Sequence, residues 1–361
     1  MTPAPMEARY WHRLDGERIQ CDLCPRACRL REGQRGFCFV RANQGGTLTL
    51  TTYGRSSGFC VDPVEKKPLY HFFPGTPVLS FGTAGCNLSC RFCQNWEIST
   101  AREMDALMDH AGPAEIARTA ATLGCRAVAY TYNDPIIFAE YATDVAAACR
   151  DIGIGNIAVT AGYISNPARA DFLGAMDAAN IDLKSFSDTF YRRITGARLR
   201  PILETIEYAV KEAGIWVELT TLIIPGHNDS LTELQDLTGW VAECLGKDVP
   251  VHFSAFHPDN RMRDTPPTPL STLLRARDAG LDAGLHYVYL GNAITDRGLG
   301  TRCPVCEAMV VARRGYAIVG YGLTEGGDCG RCGAAIPGRW DSAPGSFGPR
   351  RIPVRLSEGP R

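Results

Sequence analysis

Seven short apolar runs, rich in β-branched and aromatic residues and bounded by turn formers, recur through the middle of the chain at 77–82, 126–131, 156–160, 180–185, 216–223, 249–256 and 285–291. Each has the length and composition of a buried strand. Helical patterns separate most of them. In the segment PAEIARTAATLG, Pro113 suits a first helical turn, Ile116, Ala120 and Leu123 share one face, and Gly124 ends the run. Further on, Leu231, Leu234, Leu237, Val241 and Cys244 form an apolar stripe at helical spacing. Strands that alternate with helices build a parallel sheet, so the pattern predicts an α/β fold of six or seven units. A partial TIM-type (β/α)6 barrel is the economical form, with a doubly wound open sheet as the second choice.

The flanks are patterned differently. Residues 1–75 are rich in Arg, Gly and Cys with little periodicity, apart from the alternating TLTLTTY at 47–53, and close on an irregular approach, CVDPVEKKPLYHFFPGTP, that runs on to the first strand. Beyond Arg297, CPVC and CGRC flank a hairpin-like MVVARRGYAIVGYGL, and from about Gly338 onward Pro, Gly, Ser and Arg dominate. The expected organisation is an N-terminal Cys-rich module and approach segment (1–75), a barrel (76–296), a CxxC/CxxC ribbon (297–338) and a mobile tail (339–361).

In a parallel barrel, reactive groups belong in the loops after the strands. Those positions hold a cysteine loop after the first run, Tyr132, Asn133 and Asp134 after the second, and Thr160 at the end of the third. Asp182 and Lys184 follow on the fourth, Thr220 and Thr221 on the fifth, His257 after the sixth and Asn292 after the seventh. Lys184 stands out because a lysine in an apolar run needs a partner; it should face the mouth and bind an anion.

With a formal charge of -1 over 361 residues, the chain lacks the basic excess of a nucleic-acid binder. No run approaches the roughly 20 apolar residues of a membrane span, and the first residues carry no apolar export core, so a cytoplasmic protein with no membrane partner is expected. Against that background fifteen cysteines speak for metal rather than disulfides, and eleven of them fall into three clusters.

Each cluster has its own logic. Cys303, Cys306, Cys329 and Cys332 form two CxxC pairs that close a coordination sphere, as in a zinc ribbon or an iron-bearing rubredoxin-like knuckle pair, and a structural zinc is favoured. Cys21, Cys24, Cys28 and Cys38 can hold zinc or an auxiliary iron–sulfur cluster. Cys86, Cys90 and Cys93 are three, with no fourth nearby. Either a distant histidine completes a zinc site, or three thiolates hold a cubane with one iron left open. Cys60 stands alone, while Cys125, Cys149 and Cys244 read as small core residues.

The loop GTAGCNLSCRFCQNW resembles the signature of the radical S-adenosylmethionine (SAM) superfamily, C-x3-C-x-aromatic-C, carried here by Cys86, Cys90, Phe92 and Cys93 after the first strand. The resemblance implies a [4Fe-4S] cluster whose open iron is chelated by SAM, reductive cleavage of SAM, and a 5'-deoxyadenosyl radical that abstracts hydrogen. It further implies that Phe92 lies near the adenine, that Phe92 or Trp96 shields the cluster, that TYNDP (Tyr132, Asn133, Asp134) meets the SAM amino group, and that Thr160 meets the ribose. Lys184 in DLK would face the SAM carboxylate beside Asp182, and His257 would meet the sugar. Taken with CDLCPRAC, ITG and IIPGHND, the chain resembles the radical SAM member of the three-protein AmmeMemoRadiSam system, related to pyruvate formate-lyase activating enzymes. The implied partners are a flavodoxin or ferredoxin as low-potential donor, Memo-like and Ammecr-like proteins, or a protein substrate. The competing class is an iron–sulfur redox or scaffold protein that cleaves no SAM.

Overall fold

The computed structural model describes residues 6–101 and 109–356. Seven parallel strands form its centre: β1 (Pro77–Phe81), β2 (Ala127–Tyr130), β3 (Gly155–Thr160), β4 (Ala178–Asp182), β5 (Trp216–Ile223), β6 (Val251–Ala255) and β7 (Val288–Gly291). They pair in sequence order, β1 to β7. Helices α1 (Pro113–Thr122), α2 (Ala139–Arg150), α3 (Ala168–Gly174), α4 (Leu199–Lys211), α5 (Leu231–Trp240) and α6 (Leu270–Asp282) lie between them. All four residues of β2 are buried, as expected of a parallel sheet covered on both faces.

The sheet does not close. Beyond β1 it continues into Phe59–Pro63 and then Ile352–Val354, both antiparallel, so the arrangement is an open, partial barrel of seven parallel strands rather than six. Two expectations are thereby corrected. The approach segment is not all irregular, because Phe59–Pro63 buries its whole length against β1. Nor is the tail free throughout: Ile352–Val354 satisfies its backbone on that strand, while 357–361 lie outside the described residues. The helical stripe is also narrower than expected. Leu234, Leu237 and Val241 are buried, but Leu231 occupies the first turn of α5 and is 52% exposed.

Register places the chemistry. Asp182 pairs with Thr220, Thr220 with His252, and His252 with Tyr289, giving one row across β4 to β7. In-register neighbours on parallel strands point to the same face. The flanking modules are tied to this body by buried polar groups. Arg41, in the strand Arg41–Gln44, is 1% exposed and forks onto Glu140 of α2, with its Nε donating to the Ile137 carbonyl. Burial opposes the charge on Glu140, yet Arg41 holds its carboxyl below the usual range. Truncating either partner would strand the other, at a cost of about 3–5 kcal/mol. On the other side His71 donates from Nδ1 to the Pro337 carbonyl (2.7 Å) and accepts at Nε2 from the Tyr289 hydroxyl (2.6 Å). Arg313 donates to the Tyr70 carbonyl and to Thr301.

Candidate functional site

A cavity of about 860 Å³ opens at the C-terminal ends of the strands. Its lining includes Cys86, Cys90, Cys93, Phe92, Tyr132, Asn133, Asp134, Thr160, Asp182 and Lys184, drawn together from the ends of four strands. His257 is not among its lining residues; it is exposed beyond β6, and the histidine on the wall is His252, within the strand. The structure thus does not bring His257, expected to meet the sugar, onto the cavity wall. Trp96 is also absent from the lining and begins the short helix Trp96–Ser99.

The cysteine loop is pinned on every side. Ser89 and Arg91 donate backbone N–H groups to the carbonyls of Thr195 and Ile194. From beyond β6, Arg261 N–H bonds the Arg91 carbonyl and Asn260 Nδ2 the Cys90 carbonyl. Asn133 accepts from Thr83 N–H (3.0 Å) and donates to the Gly85 carbonyl (2.9 Å). Gly85 itself has φ +84°, and a Cβ there would collide with the Cys38 carbonyl, so glycine is required where the N-terminal module presses on the loop. Beneath the loop, Phe92 is buried with Phe190, Ile194, Ile224, Phe256 and Met262 in an apolar sheath.

Several polar side chains prove to be braces. Asp134 accepts from Ile136 N–H (3.1 Å), Thr160 Oγ1 (2.8 Å) and Ala161 N–H (3.0 Å), so its carboxylate locks the β2 and β3 loops together. Burial raises its pKa, and those three bonds work against the rise. Tyr132, held at φ +70°, donates to Asp62 (3.1 Å), which is paired with Lys67 at 2.9 Å. Lys184 behaves differently. Its Nζ lies 2.8 Å from Asp182 and 5.8 Å from the Phe92 ring centre. Burial alone would lower its pKa, but Asp182 and Cys90 outweigh that and lift it above the ordinary lysine value.

The three thiols are half-buried, and burial pushes Cys90 up to about 12 and raises Cys86 well above the ordinary thiol value. Such thiols ionise only with a cation beside them. A tetrahedral zinc, with Zn–S bonds of about 2.3 Å, holds its sulfurs about 3.8 Å apart. Among the described residues, three or more ligand side chains close to within 4.8 Å of one another only in the ribbon. There Cys303 and Cys332 stand 3.6 Å apart, and Cys306 and Cys329 3.7 Å. The three barrel thiols form no such close group and line the cavity, which suits a cubane, whose thiolates each take a different iron.

Some cavity residues carry no motif. Arg313, Arg314 and Tyr316, on the hairpin Met309–Arg314 and Ala317–Tyr321, form part of the wall. Glu65 joins them, 1% exposed, its Oε2 without a hydrogen-bond partner among the described residues and its pKa raised by burial to about 7 against the pull of Arg313. Thr220 Oγ1 is likewise unpaired. A lysine-rich stretch and a ribbon hairpin gave no sequence signal for this; only the folded chain brings them to the mouth.

An open parallel barrel with three cysteines and a paired lysine at its strand ends defines an α/β scaffold with one site at its C-terminal mouth. Comparisons with known proteins define it further. The Radical SAM superfamily model matches residues 81–238. An uncharacterized protein of Methanocaldococcus jannaschii is 41% identical over 308 residues, 85% of this chain and 91% of that one. A probable GTP 3',8-cyclase of Methanosarcina mazei is 30% identical over 218 residues, 58% of this chain and 61% of its own. A domain of the pyruvate-formate lyase-activating enzyme of Bacteroides vulgatus aligns at 17% identity and a TM-score of 0.41, over 46% of this chain and 99% of that structure. Residues 81–238 of the chain form a radical SAM superfamily domain. Among its described residues no helix is long and apolar enough to cross a membrane.

Proposed function

We propose that this chain is a radical SAM enzyme that acts by hydrogen abstraction on a protein, a peptide or a small molecule, with activation of a glycyl radical enzyme as the precedent. The observation that carries the reading is the trio of Cys86, Cys90 and Cys93 on one pinned loop at the cavity, with no fourth cysteine lining it among the described residues. When bound, a four-iron cluster with SAM on its open iron supplies reductive C–S cleavage and a 5'-deoxyadenosyl radical.

The chain's own residues do the rest. Cys86, Cys90 and Cys93 would hold three irons. Lys184, kept charged by Asp182, is poised for the SAM carboxylate, and Asp182 for its amino group. The sheath around Phe92 excludes water from the cluster side. Asp134 and Thr160 fix the loops that frame the nucleoside, a positioning role in place of the direct contacts the family resemblance implies. Reduction by a flavodoxin or ferredoxin, and operation beside Memo-like and Ammecr-like proteins, belong to the same proposal and rest on the family resemblance.

The test is anaerobic: reconstituted protein, dithionite and SAM should yield 5'-deoxyadenosine, and Cys90→Ala should abolish it. Equal product from both proteins, or none from either, favours a redox or scaffold role instead.

A further inference from the structure

We propose that Cys21, Cys24, Cys28 and Cys38 hold a second iron–sulfur cluster, and not zinc. All four surround one enclosed cavity, which Gly36, Arg41 and Asn87 also line. A Cβ built on Gly36 would lie 3.8 Å from both Cys28 Sγ and Cys38 Sγ, so this glycine backs directly onto two of the sulfurs.

The ribbon supplies the internal standard for size. Its four sulfurs gather within 4.8 Å of one another, whereas no three of the N-terminal sulfurs do. Zinc draws four thiolates to about 3.8 Å; a cubane keeps them apart because each binds its own iron. A ring of four wider-set thiols around a void matches the second case.

Position adds to the case. The Cys38 carbonyl abuts Gly85, the residue before Cys86, and Asn87, the residue after it, lines the N-terminal cavity. Arg26 clamps this junction, donating to the carbonyls of Asn87 (2.5 Å) and Gly196 (2.8 Å). The second cluster would therefore sit directly behind the loop of the first. With four protein thiolates it leaves no iron open, so it does not compete for SAM. The inference stands on the N-terminal residues alone and does not depend on radical chemistry in the barrel.

The experiment uses the full chain with Cys86→Ala, Cys90→Ala and Cys93→Ala, reconstituted anaerobically with iron and sulfide. About four irons and four inorganic sulfides per chain should remain, with cluster absorbance and a Mössbauer signature. In an otherwise wild-type chain, Cys24→Ala should remove about four irons and their sulfide while the ribbon metal persists. This second variant decides the matter if the first does not fold. Zinc at the N-terminal set, or iron without sulfide, or no change in sulfide on Cys24→Ala, overturns the proposal. Failure of SAM cleavage with sulfide retained would count against the barrel chemistry and leave this inference standing.

Discussion

The barrel loop and the C-terminal ribbon are both built from cysteines on tight turns, yet they are opposite devices. In the ribbon, four sulfurs converge within 4.8 Å, and each CxxC turn is closed by backbone bonds such as Glu307 N–H to the Cys303 carbonyl and Gly333 N–H to the Cys329 carbonyl. Everything a metal needs is supplied, so nothing is left for a substrate. In the barrel, three sulfurs stand apart on a loop held by neighbours from four directions, and the rigidity lies in the backbone while the coordination stays incomplete. Closure of the ligand set gives structure, and its deliberate shortfall gives chemistry. The two are not remote, because the ribbon hairpin lends Arg313 and Tyr316 to the cavity wall.

The comparison can be broken at the ribbon first. A zinc held by the four ribbon cysteines would contribute about 10 kcal/mol or more of binding free energy to the fold it closes. Cys329→Ser should therefore unfold the ribbon locally and lower the melting temperature, seen by calorimetry, while the iron–sulfur absorbance of the barrel remains. Simultaneous loss of both would show that the closed and open sites form one unit.

Acid should separate them more gently. His71 bridges the two, and burial lowers its pKa from 6.5 to about 4, with Glu218 opposing and Arg313 and His252 adding to the fall. The unfolded chain then takes up that proton before the folded one does. The stability this neutral histidine contributes is complete above about pH 6.5 and is lost as pH falls towards 4, amounting to about 3 kcal/mol. The depressed carboxyl of Glu218 works in the same direction. Chemical denaturation from pH 7 to pH 4.5 should show the decline, and His71→Phe should flatten it; an unchanged slope would remove His71 from the interface.

A finer contrast lies among residues at the mouth. Lys184→Ala should weaken SAM binding about tenfold, or roughly 1.4 kcal/mol, by leaving Asp182 without its cation. His257→Ala, which alters only an exposed side chain, should shift affinity less than twofold by titration calorimetry. Equal effects would mean that the cavity lining does not mark the binding site.

The strands were legible because burial on both faces forces apolar, β-branched runs, and all seven begin within three residues of the expected positions. The fourth was read late because Ala178 and Ala179 are small and uninformative, and it ends at Asp182, where Leu183 and Lys184 leave the sheet for the mouth. Phe59–Pro63 escaped notice since its closing Asp62 and Pro63 look like a loop and only its pairing with β1 makes it a strand. At the site, cysteine spacing and the buried lysine carried their own chemistry. Asp134 did not: its partners Thr160 and Ala161 lie more than twenty residues away, and nothing in TYNDP says that the acid is spent on them. Glu65 and Arg313 approach the same cavity from opposite ends of the chain, a juxtaposition that exists only once the ribbon docks through His71.

The central claim is an iron left uncoordinated by protein at the barrel loop. Electron paramagnetic resonance of the dithionite-reduced, anaerobically reconstituted Cys24→Ala protein, with and without SAM, tests it most directly. A reduced-cluster signal that shifts when SAM is added, and that vanishes in the further variant Cys90→Ala, is the expected result. A cluster signal indifferent to SAM would mean that all four irons are already held, and would contradict the account.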